Sequence, residues 1–398
     1  MTQVENTALN ADRDVWRRWL QDDALPLWSR QGFDVRRQLF HERLTFEREP
    51  VLLPELRLMV QARQIATFCR ADKDGLASTA SLALDCLGEV QRRYWHGDGA
   101  SGWLFSLGPD GRPADRRRDL YAHAFILLAY AWAYRLSGAV RYLDVARQTV
   151  LEIDRIFFTQ NGGYVDTVPA QDTVRRQNPH MHLLEAYLAL AEASGDDFYL
   201  DYARRMIHLA TRYFVLPDTG MLLEFFDVTW RPLQAPGHNR VEPGHLFEWA
   251  WLFGEFARLA PDDRDSEAIA GMRQKLYATA VAYGVDPDTA IVCDAITETG
   301  QRLEDSTRIW PQTEFMRMLC WHGRHGDAAA RSMLSRQSVA FFKSYAPASL
   351  RGGWIDRIDV HGVSLTDYMP ASSLYHIYGA AAEYLATVVP SAEKVPSI

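Results

Sequence analysis

Histidine is the side chain whose ordinary pKa lies nearest neutrality, so it suits taking a proton from carbon and handing it back. The chain has 12 histidines, and five of them, His123, His180, His182, His245 and His376, fall near the starts of strongly apolar segments. Two belong to a repeated spacing, His182/Glu185 and His245/Glu248. Three residues on a helix put both side chains on one face, where a carboxylate orients an imidazole and raises its basicity. The same spacing also arises as an ordinary polar pair near a helix N-terminus, where Glu is favoured by the helix dipole. The same windows carry Arg57, Arg63, Tyr121, Arg240, Trp310, Glu314 and Tyr375. Arginines and helix N-termini stabilise a developing negative oxygen. With histidines beside them, they favour enolisation next to a carbonyl, through an enediolate. Tyr121, Trp249, Trp251 and Trp310 offer faces for sugar stacking, although a tryptophan on a buried helix more often fills core. A lone histidine there is more often a satisfied core residue; five in phase point to a site as a group, not member by member.

Six segments must position these residues, starting at Pro54, Asp119, Asn178, Glu242, Trp310 and Met369. They recur with a period of about sixty residues, the sign of a repeated supersecondary unit. Each is apolar nearly all round, as in a helix buried on most sides. Five carry proline at or near the start (Pro54, Pro179, Pro243, Pro311, Pro370), where the missing N–H costs nothing, and Asp119 takes the equivalent place in the sixth. Amphipathic stretches such as 197–215 and 266–283 lie between them and read as outer helices. Six inner and six outer helices predict an all-α fold, an (α/α)6 barrel, as one catalytic domain over 1–398 with an ordered core of about 12–390. Gly-rich stretches before the inner helices (102–111, 162–166, 220–230, 290–300, 352–362) predict short β-hairpins around the mouth.

Composition narrows the partners. Apolar residues are 47% and charged residues 24%, enough for a large core. The net charge of −8 argues against nucleic acid, and the Arg116–Arg118 run beside Asp115 and Asp119 reads as a solvated face. The longest apolar run, 124–134, is too short to cross a membrane, and residues 1–20 have no apolar leader core. Four scattered cysteines, Cys69, Cys86, Cys293 and Cys320, show no metal spacing and suggest free thiols in a reducing compartment. A cytoplasmic protein with no cofactor and no metal is expected, and the compact mouth loops suggest a monosaccharide rather than a disaccharide as ligand.

The chain resembles the N-acylglucosamine 2-epimerase superfamily, which includes mannose isomerases and cellobiose 2-epimerases. The resemblance runs from about Trp16 to Tyr384. It is carried by Gln61-Ala62-Arg63, Met181-His182-Leu183-Leu184-Glu185-Ala186, Pro243-Gly244-His245-Leu246-Phe247-Glu248-Trp249, Trp310-Pro311-Gln312-Thr313-Glu314 and Tyr375-His376. It implies metal-independent proton transfer at sugar C2 through a cis-enediolate. It further implies His376 and His245 as the acid/base pair, Arg63 on the sugar oxygens near C1 and C2, and His182 in ring opening or binding. Arg240 would contact substrate, Glu248 and Glu314 would orient the histidines and hydroxyls, and relatives suggest a homodimer through the outer helices. Where many members have a Gly-rich stretch before the first inner helix, this chain has Phe46-Glu47-Arg48-Glu49-Pro50, expected at the mouth.

Three other readings use the same residues. An inverting glycoside hydrolase would use Glu248 and Glu314 as acid and base. A metal-dependent isomerase would use His180, His182, His245 and His376 as ligands. A non-catalytic carbohydrate-binding or interaction protein would need the aromatics and arginines but no pair of proton-moving histidines.

Overall fold

The computed structural model describes residues 12–387; residues 1–11 of the stretch read for a leader, and 388–390 of the expected core, lie outside it. Twelve helical stretches alternate around a closed ring. The outer ones are α1 (residues 12–30), α3 (Ala80–Tyr94), α5 (Arg141–Phe157), α7 (Asp197–Leu209), α9 (Ser266–Gly284) and α11 (Ala328–Ala340). The inner ones are α2 (Leu58–Lys73), α4 (Leu120–Ser137), α6 (Gln177–Ser194), α8 (Pro243–Leu259), α10 (Ile309–Arg324) and α12 (Leu374–Ala386), the last entered through a 3-10 turn, Ala371–Ser373. This is the (α/α)6 barrel. Among the described residues no helix is long and apolar enough to cross a membrane.

Burial follows the two sequence patterns. On α5 the buried Tyr142, Ala146, Thr149, Val150, Ile153 and Phe157 form a single stripe, so the opposite face meets solvent. On α4 nearly every residue from Leu120 to Ala131 is buried. Asp119 caps α4 by accepting from the Ala122 N–H at 2.8 Å, and Gly138, at φ 71°, ends it in the left-handed conformation a glycine adopts freely. Pro243 is the first residue of α8, whereas Pro179 and Pro311 are third in their helices, still among the N–H groups without intrahelical partners. Pro54 and Pro370 lie ahead of their helices. Trp16 of α1 closes the ring, packing against Phe341, Phe342 and Tyr384 and donating to Ser338 Oγ at 3.0 Å.

The mouth strands are hairpins within each repeat, held by bridges such as Phe226 to Pro232 and Ile358 to Ser364. Most of the ladders, however, run between repeats. The strand before each inner helix pairs antiparallel with the hairpin of the next repeat: Arg57 with Ser106, Asp119 with Thr167, Arg176 with Phe225, Val241 with Ile296, Arg308 with Arg357. Pro370 pairs with Arg43, so the last repeat joins the first. The first free N–H of an inner helix donates across this seam: Leu58 to the Phe105 carbonyl, Leu120 to Asp166, Gln177 to Glu224, Ile309 to Asp356 and Ala371 to Glu42, at 2.9–3.3 Å. The remaining repeat begins with Pro243, which has no N–H to give. The 46–50 stretch folds back on strand Arg43–Thr45 in this seam and does not line the central cavity.

Candidate active site

Because the inner helices start at one level, equal positions along them face the axis at equal depth. The sixth residues counted from Leu58, Leu120, Gln177, Pro243, Ile309 and Ala371 are Arg63, Phe125, His182, Glu248, Glu314 and His376. They form one layer. The Arg63 guanidinium lies 4.1 Å from the Phe125 ring centre, Phe125 lies 4.5 Å from the His182 ring, and His182 Nδ1 lies 3.7 Å from Glu248. Polar atoms of Glu248, Glu314 and His376 come within 4.8 Å of one another. Above this layer is a cavity of about 310 Å³, lined by Arg63, Tyr121, His182, His245, Glu248, Arg308, Trp310 and His376, among others.

Each of the three cavity histidines is held from behind by a carboxylate. His376 Nδ1 pairs with Glu314 Oε1 at 2.8 Å, and Arg317 donates to the other oxygen of Glu314 at 2.8 Å. His182 Nδ1 pairs with Glu185 Oε2 at 3.1 Å, and Tyr375 donates its hydroxyl to Glu185. His245 Nδ1 pairs with Glu224 Oε1 at 2.8 Å, and Gln177 donates to the second oxygen of Glu224 at 2.9 Å. With Nδ1–H donated backward, Nε2 is the nitrogen left for the cavity. Arg63 donates to Tyr121 Oη at 2.5 Å and to the Ser372 carbonyl at 3.2 Å.

The environments push these groups apart. Burial, reinforced by Arg63, pulls His376 well below the ordinary histidine value, and burial pulls His182 down to about 4 against the opposing pull of Glu185. For His245 burial also pulls downward, but the carboxylates of Glu224 and Glu242 outweigh it and the pKa rises. The two imidazoles at one cavity are thus pushed in opposite directions, His376 toward its neutral form and His245 toward its protonated form, as suits a base and an acid. Burial, then Glu314 and Glu185, pushes Glu248 well above the carboxylate range, and neither of its oxygens has a hydrogen-bond partner.

Comparison with known proteins gives the family. Residues 40–380 match the family N-acylglucosamine 2-epimerase (GlcNAc 2-epimerase). The chain belongs to that family. It is 31% identical, over 92% of this chain and 94% of the other, to a protein of Rhizobium meliloti named mannose-6-phosphate isomerase. It is 24% identical, over 73% and 76%, to a cellobiose 2-epimerase of Bacteroides fragilis. The solved cellobiose 2-epimerase of Bacillus thermoamylovorans shares its fold at a TM-score of 0.84 and 18% identity, covering 95% of this chain and 100% of that one. As a family member, this chain is a sugar epimerase or isomerase.

Within this epimerase-family barrel several expected site residues lie elsewhere. Arg240 does not line the cavity; Glu242 and Glu304 take its guanidinium at 2.9 and 2.6 Å. Arg308 stands at the cavity instead. Glu185 and Glu314 lie behind their histidines rather than against the cavity, and Glu248 is not the partner of His245. Trp249 is core, donating to Gln177 at 2.6 Å, and Trp251 lies under Arg317 below the layer, which leaves Tyr121 and Trp310 as the expected aromatics at the cavity. Arg57 is bound by Glu42.

His123 and His180 are hairpin clips. His180 Nε2 accepts from the Tyr164 N–H at 3.1 Å while Nδ1 meets the Arg176 carbonyl at 2.9 Å; His123 does the same with Trp103 and Asp119. They are the fourth residues of their helices, where Gln61 and Gln312 clip Phe40 and Val292 in the same way. Both nitrogens of His180 are thus engaged, so the four-histidine metal set is not assembled. Atoms of Glu248 with His182 and Glu185, or with Glu314 and His376, are close enough to hold a cation, but Arg317 and Arg63 already supply positive charge there. Glu248 and Glu314, within 4.8 Å, are closer than the about 6.5–9.5 Å an inverting hydrolase needs for its water. A larger cavity of about 370 Å³ opens at the other end of the barrel and has no histidine in its lining.

Proposed function

We propose that this chain interconverts an unphosphorylated mannose-type aldohexose and its ketose, by proton transfer at C2 through a cis-enediolate. His376 is the base and His245 the acid. The observation that carries this reading is that two imidazoles face one cavity, each backed by its own carboxylate, with burial and Arg63 drawing His376 toward the neutral form and Glu224 and Glu242 drawing His245 toward the protonated one. His376 takes the C2 proton on Nε2 while its Nδ1–H stays on Glu314, and then delivers a proton to C1 to give the ketose, as O1 gains a proton from His245 and O2 returns one to it. Arg63, with its Nε unpartnered, binds the oxygens that turn negative at C1 and C2. His182 and the neutral Glu248 face the same space and assist ring opening and hydroxyl binding.

A cavity of about 310 Å³ lies at the small end of ligand sites (about 300–1,000 Å³), which favours one hexose ring over a disaccharide. The R. meliloti relative is named for a 6-phosphate, but the two arginines at the mouth, Arg176 and Arg308, are each already held by carboxylates, Asp166 and Asp172 for one, Glu242 and Asp294 for the other. The test is a product analysis with mannose, mannose 6-phosphate, glucose and N-acetylglucosamine. Ketose from mannose at a kcat/KM at least tenfold above its 6-phosphate supports this reading. A preference for the phosphate overturns the substrate, and a 2-epimer without ketose overturns the reaction.

A further inference from the structure

Beside His245 the rim carries a closed ring of alternating charge. Glu242 Oε1 accepts from Arg240 Nε at 2.9 Å; Arg240 Nη1 reaches Glu304 Oε1 at 2.6 Å; Glu304 Oε2 accepts from Arg357 Nη2 at 2.6 Å. Arg357 Nε then contacts Asp294 Oδ2 at 3.3 Å, Asp294 Oδ1 contacts Arg308 Nε at 3.2 Å, and Arg308 Nη2 returns to Glu242 Oε2 at 2.8 Å. Three arginines and three carboxylates close on themselves with no net charge. The ring joins two strand ladders that share no backbone bonds, Arg240–Val241 with Ile296–Thr297 and Thr307–Arg308 with Arg357–Ile358. Elsewhere at the mouth the arginines form local pairs, Arg57 with Glu42 and Arg118 with Asp98.

Only Glu242 and Arg308 of the six touch the cavity. Glu242 Oε2 is 4.0 Å from His245 Nδ1, and Arg308 extends along Trp310, whose ring is 4.8 Å from that of His245. We propose that Arg240, Glu304 and Arg357, none of which reaches substrate, are positioning residues: through the ring they hold Glu242 and Arg308 against His245 and balance the charge it feels. The role in turnover rests on the proton-transfer reading above; the effect on His245 itself does not.

The charged and titratable groups facing His245 are Glu224 from the mouth hairpin, Glu242 from its own helix start, Arg308 from the strand before α10, and the His376 imidazole from α12; Gln177 and Trp310 are uncharged neighbours. Neutralising Glu304 leaves the ring one charge positive and disfavours protonated His245. Neutralising Arg240 leaves it one charge negative and favours protonation. The effects therefore have opposite sign, which loss of packing alone does not produce.

The experiment compares full-length wild type, Glu304→Gln, Arg240→Gln and the double variant, with Arg357→Gln as a second cation-loss variant should Arg240→Gln not fold. The His245 titration is followed by NMR, assigned by its loss in His245→Asn, together with the alkaline limb of kcat/KM. Glu304→Gln is expected to lower the His245 pKa by about half a unit, Arg240→Gln to raise it by about as much, and the double variant to return near wild type. Shifts of the same sign, or none, overturn the proposal. NMR needs no turnover, so a wild type inert toward every sugar defeats the reaction while the titration still judges the ring.

Discussion

The two His-x-x-Glu copies have the same spacing and different fates. His182 and Glu185 are the sixth and ninth residues of α6, and they bond to each other. His245 and Glu248 are the third and sixth residues of α8, one turn nearer the mouth, and they do not. There His245 meets Glu224 of the hairpin that leads into its own helix, while Glu248 drops to the level of His182 and lies without a partner. Spacing says that two side chains share a face; the distance from the helix start says which neighbours they meet. The same motif moved by three residues thus yields a deep histidine held toward its neutral form in one copy and a rim histidine drawn toward its protonated form in the other.

Removing the rim histidine, or its proposed partner His376, has the largest expected effect. His245→Asn or His376→Asn should lower turnover by about a thousandfold or more, with sugar binding still measurable by calorimetry. Next come the backing carboxylates. Glu224→Gln removes the charge that raises His245, so the alkaline limb of kcat/KM should move to lower pH and activity at pH 8 should fall about tenfold to a hundredfold. Glu185→Gln should cost about tenfold and leave that limb in place, because it supports the other copy. Identical pH shifts from both would erase the distinction.

Smaller still is Glu248→Gln. If the carboxyl is neutral in the folded protein, glutamine is close to its working form, and activity near pH 6 should change less than about threefold. Its raised pKa means that the folded state holds a proton the unfolded state releases earlier, so wild type loses stability as pH climbs above the ordinary glutamate value. The variant should lack that decline in urea unfolding between pH 6 and 8.5. The smallest effect on rate belongs to His180. His180→Leu leaves the buried Tyr164 N–H unpaired and should cost about 1–3 kcal/mol of stability, whereas His180→Gln, which copies Gln61 and Gln312, should restore most of it. Turnover per folded molecule should hold within about twofold in both.

The barrel was legible because inner helices, apolar all round, recur beside one-sided outer ones. Arg63, His182, Glu248, Glu314 and His376 were legible as residue types near helix starts, but not as one layer, which needs the first residue of every helix. Prolines marked those starts only to within four residues, since Pro54 and Pro370 precede their helices. Counting from true starts would have set His123 and His180 with Gln61 and Gln312. Glu224 and Arg308 were hidden for another reason: Glu224 reaches His245 from a hairpin 21 residues before it while also taking Gln177 of the preceding repeat, and Arg308 reaches back to Glu242 of the preceding repeat, contacts that helical spacing does not show. One signal was present, an acidic residue at the same hairpin place in Glu42, Asp166, Glu224, Asp294 and Asp356. Arg240 shows the converse, a residue of the right type whose charge is spent on carboxylates beside it.

The central claim is that His376 and His245 move a carbon-bound proton at sugar C2. Proton NMR of mannose with the enzyme in D2O, with and without chelator, tests it most directly. The account predicts loss of the C2 proton signal and growth of ketose in wild type, unchanged by chelator, and neither in His376→Asn. Exchange that survives in His376→Asn and His245→Asn at the wild-type rate, or that stops with chelator, would contradict it.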